Sequence, residues 1–174
     1  MLTSELERKY IHITKDMALE AAKALQQLRT GDLNAFNFVC ISGEGATSNP
    51  GPFTPLFGRV KGETETGLMK IQSKVANFRL FIVRPSHVDS KGHKAIAPYI
   101  PQPTVLLRAA NLALGPALRG FFKPYNSPTA PLGEFLVDLA TGAQQGRLHG
   151  DGVECRGAST IISNVGFRRL MGLS

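Results

Sequence analysis

The hydrophobic pattern of the chain changes period between residues 17 and 41. In "MALEAAKALQQL" the apolar positions Met17, Ala21, Ala24, Leu25 and Leu28 recur at three- and four-residue spacing, which predicts one face of a helix, with Thr14 as its N-cap and Asp16 in its first turn. "TGD" breaks that pattern. "FNFVCIS" (36–42) follows with a continuous apolar core from Phe38 to Ile41, as expected of a strand buried on both faces of a parallel sheet. A loop rich in Gly, Pro, Ser and Thr, "GEGATSNPGPFTP", leads into a helix predicted over 57–76. "FRLFIVRP" (78–85) is a second strand of the buried type, closed by Pro85. Strand, loop, helix and strand in that order predict two parallel strands joined by a right-handed crossover.

Beyond Pro85 the pattern is less regular. Residues 86–103 form a polar, proline-containing connection. The apolar run "TVLLRAANLALGPALRGFF" (104–122) places Arg108 and Arg119 on nearly one helix face, with Gly115 and Pro116 between them. That predicts an amphipathic element for core or interface packing, too interrupted for a membrane span. "NSPTAPLGEFLVDLATG" predicts a helix ending at Gly142. In the Gly-rich tail, "STIISNVGFRRLMGL" adds a short strand and a turn. The organisation expected is one α/β unit over 1–142, with a tail over 143–174 that packs on it or extends it. Two parallel strands leave an edge without a predicted partner, so the pattern calls for a missing part or for a second chain.

Composition changes this picture little. The 174 residues are 43% hydrophobic and 19% charged, enough for a packed core of one domain. The net charge of +7 is scattered rather than gathered into a stripe with aromatics, so no nucleic-acid partner is expected. The two cysteines, Cys40 and Cys155, suit neither a disulfide framework nor zinc, and Cys40 lies in an apolar run. The charged start "MLTSELERKY" lacks a signal-peptide core, which leads to the expectation of a cytoplasmic location without membrane contact.

Five segments occur in an order that carries a resemblance: "YIHITKDMALEAAKAL", "FNFVCISGEGA", "FGRVKGETE", "FRLFIVRPSHV" and "LGEFLVDLATG". Together they resemble the C-terminal half of a short-chain dehydrogenase/reductase of the atypical and extended group, in a fungal-type branch, and the likeness spans nearly the whole chain. The resemblance implies a partial Rossmann-like fold, with few parallel strands flanked by helices. The N-terminal half that would cradle a dinucleotide pyrophosphate is missing from it. It implies no bound cofactor, NAD(P) being the one to expect if any. "GEGATSNPG" follows the wrong strand and lacks the spacing for that cradle.

In that family a serine orients the substrate carbonyl, a tyrosine donates a proton, and a lysine four residues later lowers the phenol's pKa and holds the nicotinamide ribose. Ser42 matches the serine and Lys61 the lysine, while Phe57 stands at the tyrosine position without a proton to give. Thr14 stands at a relay asparagine. Arg84, Pro85 and Ser86 match the segment that passes the nicotinamide, and His87 is a further candidate base. Plainer readings stand beside these. Ser42 suits a turn at a strand end, Lys61 and Glu65 suit a solvated i,i+4 pair, Phe57 suits the core, and His87 suits a polar loop.

Whether the chain is an enzyme stays open at this point. It reads as a truncated dehydrogenase-like protein of small-molecule, including secondary, metabolism that performs a cofactor-free isomerisation, elimination or cyclisation on a small-molecule substrate. The alternatives are a fragment of an NAD(P)-dependent oxidoreductase and a non-catalytic module that pairs as a homodimer or with a full-length homologue.

Overall fold

The apolar runs at 36–41 and 78–84 become neighbouring parallel strands, paired in register from Phe36 opposite Phe78 to Ile41 opposite Val83. The structure, a computed structural model, describes residues 4–27, 35–100 and 123–173. Its elements are α1 (Ser4–Ile11), a π-helical turn (His12–Asp16), α2 (Met17–Leu25), β1 (Phe36–Ile41), α3 (Leu56–Gln72), β2 (Phe78–Arg84) and β3 (His87–Asp89). Two 3-10 turns, Lys94–Tyr99 and Lys123–Tyr125, precede β4 (Asn126–Pro128), α4 (Thr129–Thr141), β5 (Val153–Arg156), β6 (Ser159–Ser163) and α5 (Asn164–Leu170). The amphipathic element expected over 104–122 lies outside the described residues.

The main sheet has the order β1-β2-β6-β5, parallel except for β5, which pairs antiparallel with β6. The tail therefore contributes a hairpin and a helix rather than a single strand and a turn, and β6 lies against β2. Successive strand residues point to opposite faces, so each strand feeds two cores. Phe78, Leu80, Ile82 and Ile161 pack with Ala22 and Leu68 on the α2/α3 side. Phe81, Val83 and Ile162 pack with Phe135, Leu139 and Phe167 on the α4/α5 side. The fold is a mixed α/β one with a mainly parallel sheet flanked by helices. Each fully buried Phe or Leu contributes on the order of 1.5–3 kcal/mol from its apolar area. No described helix is long and apolar enough to cross a membrane.

Three expectations are corrected here. Thr14 is no N-cap, because the helix begins at Ser4 and continues through Thr14 within the π turn. Glu5 and Glu7 in the first turn and Arg8 and Lys9 in the last suit the helix dipole and favour that earlier start. Secondly, the buried face of α2 centres on Ala22, with Leu19 against the same cluster, while Met17 is 55% exposed. The partner decides this: a Cβ on Gly67 of α3 would lie 2.7 Å from Leu19, so the notch left by that glycine receives Leu19. Thirdly, α3 stops at Gln72, short of residue 76.

The predicted end of α4 at Gly142 agrees with the structure. Gly142 has φ +84 and its N–H bonds back to the helix, the left-handed cap that glycine adopts without strain. A second, two-stranded parallel sheet, β3 with β4, has no counterpart in the sequence reading.

Candidate functional site

The C-terminal ends of β1 and β2 and the first turns of α3 enclose an open cleft of about 510 Å³. Its lining includes Ile41, Ser42, Glu44, Phe57, Lys61 and Ser86. Parallel α/β sheets place ligands beyond the carboxyl ends of their strands, and this cleft has that position. Three backbone features set its shape. Ser42 N donates to Val83 O at 2.8 Å and Glu44 N to Pro85 O at 3.0 Å, which joins the two post-strand segments. Thr47 N donates to Gly58 O at 3.1 Å, which holds the 43–47 loop against α3. That approach requires glycine, since a Cβ on Gly62 would come within 1.8 Å of Thr47 O.

Five of the candidates named from sequence meet here: Ser42, Phe57, Lys61, Pro85 and Ser86. Ser42 is 6% exposed, and its Oγ has no hydrogen-bond partner. Lys61 Nζ donates to Ser42 O at 2.6 Å. Phe57 is 44% exposed and its ring lies over Gly45, so it walls the cleft instead of entering the core. Ser86 is held from behind, its N–H donating to Ser127 Oγ at 3.0 Å. Ser127 Oγ in turn donates to Asn164 Oδ1 at 2.6 Å, and Asn164 N donates to Glu44 Oε1 at 2.8 Å. Ser127 and Asn164 are buried, so this chain of bonds anchors both sides of the cleft to the start of α5.

Arg84 and His87 are not among the residues that line the cleft. The Arg84 guanidinium is turned to Glu65, with Nε to Oε1 at 2.9 Å and Nη2 to Oε2 at 2.5 Å. That hydrogen bond is the main reason the guanidinium's pKa is raised further above its usual value. His87 is half-buried in β3. Thr14 lines a niche of about 30 Å³ next to the cleft, together with Cys40, Ser42, Lys61, Thr64 and Glu65. Burial, with a smaller contribution from Glu65, pushes the Cys40 thiol up to about 11.

The solvated Lys61–Glu65 pair is not what forms. Glu65 is 2% exposed and belongs to Arg84. The sequence carried one sign of this, an arginine at the very end of an apolar strand. It carried another for the loop contact, the Gly58–Gly62 spacing that clears one helix face. Nothing in the pattern pointed to Ser127 or Asn164. Chemically, the cleft is lined by one ammonium, one carboxylate, two serines and an apolar wall, without a phenol.

The chain is 99% identical over 158 residues to a protein of Botryotinia fuckeliana (strain B05.10), "Botcinic acid biosynthesis cluster B protein 16"; the match covers 91% of this chain and 100% of that protein. No family model matches the chain. No solved structure matches it either.

Proposed function

The chain belongs to the family of botcinic acid biosynthesis cluster B protein 16, and from that premise we propose that it acts on a small molecule in secondary-metabolite biosynthesis. The cleft is its site, and the chemistry is a cofactor-free rearrangement of a carbonyl compound: an isomerisation, elimination or cyclisation. Such steps leave the electron count of the substrate unchanged, so no nicotinamide is consumed. Lys61 balances negative charge that develops on the carbonyl oxygen, and the Ser42 hydroxyl donates a hydrogen bond to the same atom. Phe57 supplies a wall where a reductase would need an acid. Descent from a short-chain dehydrogenase/reductase accounts for the positions of Ser42 and Lys61 and for the absent phenol.

One observation carries this reading. Ser42 and Lys61 line one cleft; Lys61 is half-buried, and Ser42 Oγ, closed to solvent, has no hydrogen-bond partner among the described residues. An unpaired buried polar atom is costly, and a ligand to which the Ser42 hydroxyl turns would offset that cost.

The test is deletion of the gene in its producing organism, with metabolite profiling, then incubation of the accumulated intermediate with purified protein. Conversion without added nucleotide, lost in Lys61→Met, is the expected result. Conversion that requires NADPH, or tight NADPH binding by the pure chain, would sink the cofactor-free reading.

A second reading, a homodimerisation module, is favoured by β1. Among the described residues nothing pairs with its outer edge, and Ile41 is 56% exposed. Light scattering that returned a monomer would remove it.

A further inference from the structure

Charge accounting around the cleft leaves Lys61 without a carboxylate. An ammonium has three donors, and the structure gives Lys61 one partner, the neutral carbonyl oxygen of Ser42. Among the described residues no carboxylate forms an ion pair with Lys61, although Glu44 lines the same cleft. Glu65, one helical turn on, is held by Arg84 through two bonds. Glu44, two residues beyond Ser42, accepts the N–H of Asn164. Glu63 pairs with Lys15 at 2.9 Å. A half-buried cation without an ion pair, beside a buried hydroxyl without a partner among the described residues, favours an anion.

The remaining lining says what kind of anion. Ile41, Phe57 and Val88 are 56%, 44% and 51% exposed, and all three line this one cleft. Exposed large apolar side chains that converge on a concave site mark a ligand with an apolar body. A phosphate group gathers several cations or backbone N–H groups. Here a single ammonium stands near the Glu44 carboxylate, which suits a monoanion.

Resting on the reading of the cleft as a small-molecule site, we infer that the carbonyl group held there by Lys61 and Ser42 is the carboxylate of a small aliphatic acid, and that Arg84 keeps Lys61 available by holding Glu65. Arg84 is thus a positioning residue. It does not touch the ligand, and it removes the one acidic side chain that helix geometry would otherwise offer to Lys61.

Calorimetric titration of the full chain with hexanoate, hexanamide, acetate and inorganic phosphate tests this. Wild type is expected to bind hexanoate about ten- to a hundredfold more tightly than hexanamide, the range of a charge-assisted pair, and more tightly than acetate or phosphate. The acid preference is expected to vanish in Lys61→Met and in Arg84→Met, where Glu65 is free to turn to Lys61. It is expected to return in the double variant Arg84→Met/Glu65→Met, a rescue that a merely structural role for Arg84 does not produce. Should Arg84→Met fail to fold, the double variant and Lys61→Met decide. Equal binding of acid and amide by wild type, no binding of hexanoate in the millimolar range, tighter binding of phosphate, or loss of the preference in the double variant each overturns the inference. Acid binding without turnover of any intermediate leaves it standing and removes the catalytic reading; turnover without acid preference does the reverse.

Discussion

Arg84 grips Glu65 with two parallel hydrogen bonds, 2.9 and 2.5 Å long, between the end of β2 and the middle of α3. The side chains are 24% and 3% exposed, so the carboxylate is buried and the guanidinium reaches partly to solvent. Removing one partner of such a pair strands a charge in the interior. Arg84→Ala is therefore expected to cost up to about 3–5 kcal/mol in urea unfolding, and less as far as Glu65 re-pairs with Lys61. The joint replacement Arg84→Met/Glu65→Met, which leaves no buried charge, is expected to lie within about 1 kcal/mol of wild type. Equal losses in the single and double variants would mean that packing, and not the charge, sets the cost.

Two helical glycines should respond in opposite directions to the same change. A Cβ on Gly62 meets Thr47 O at 1.8 Å, whereas around Gly133 in α4 nothing lies within 4 Å. Gly62→Ala must push the 43–47 loop off α3 and is expected to destabilise by about 2–4 kcal/mol, the range of overpacking against backbone. Gly133→Ala gains helix propensity at no steric cost and is expected to stabilise by about 0.5–1 kcal/mol. Thermal melts of both variants check the pair, and a neutral Gly62→Ala would show that the loop contact is soft.

Most of the fold was legible, because β1, α3, β2 and α4 are specified by their own local pattern. Phe78 to Val83 reads as a buried strand since both faces of β2 pack in a core, whereas β1 at the edge is only half-buried with Ile41 exposed; Gly142 closes α4 by its own backbone freedom. Apart from the start of the first helix and the end of α3, the misread features are decided by a partner distant in sequence. Which face of α2 is buried depends on the notch at Gly67, which receives Leu19. The environment of Glu65 depends on Arg84, nineteen residues away. The small sheet of β3 and β4 joins residues about forty apart and holds only three residues per strand, too few to show a period. In the site, Ser42, Phe57, Lys61 and Ser86 were found by spacing and resemblance. The chain of bonds through Ser127 and Asn164 has no sequence signature at all.

The two cysteines should separate by reactivity. Cys40 is half-buried, its thiol pushed up to about 11, while Cys155 lies exposed on β5. Native protein treated with iodoacetamide near pH 8 is expected to be modified at Cys155 and spared at Cys40, with both modified after unfolding; mass spectrometry reads the difference. The linkage has a definite sign. Folding raises the thiol from its ordinary value of 9.0 to about 11, so the unfolded chain loses its proton first. Stability from this group is full below pH 9 and falls between pH 9 and 11. Cys40→Ala should remove that part of the alkaline slope, whatever it does to packing.

The position of Phe57 admits a direct test of the geometry. Its ring and the Lys61 ammonium stand one helical turn apart and line the same cleft. Phe57→Tyr introduces a phenol at a site 44% exposed, so stability should change by no more than about 0.5 kcal/mol. A cation beside a phenol favours the phenolate, so the introduced group is expected to titrate below the usual value of about 10 in ultraviolet difference spectra. That displacement should disappear when Lys61→Met is added. An ordinary titration in the single variant would mean that Lys61 does not face the ring. NADPH oxidation is expected to stay at background in Phe57→Tyr, since a proton donor alone supplies no hydride. A clear gain of reductase activity would mean that the chain binds the nucleotide by a route other than a Gly-rich turn, and would restore the oxidoreductase reading.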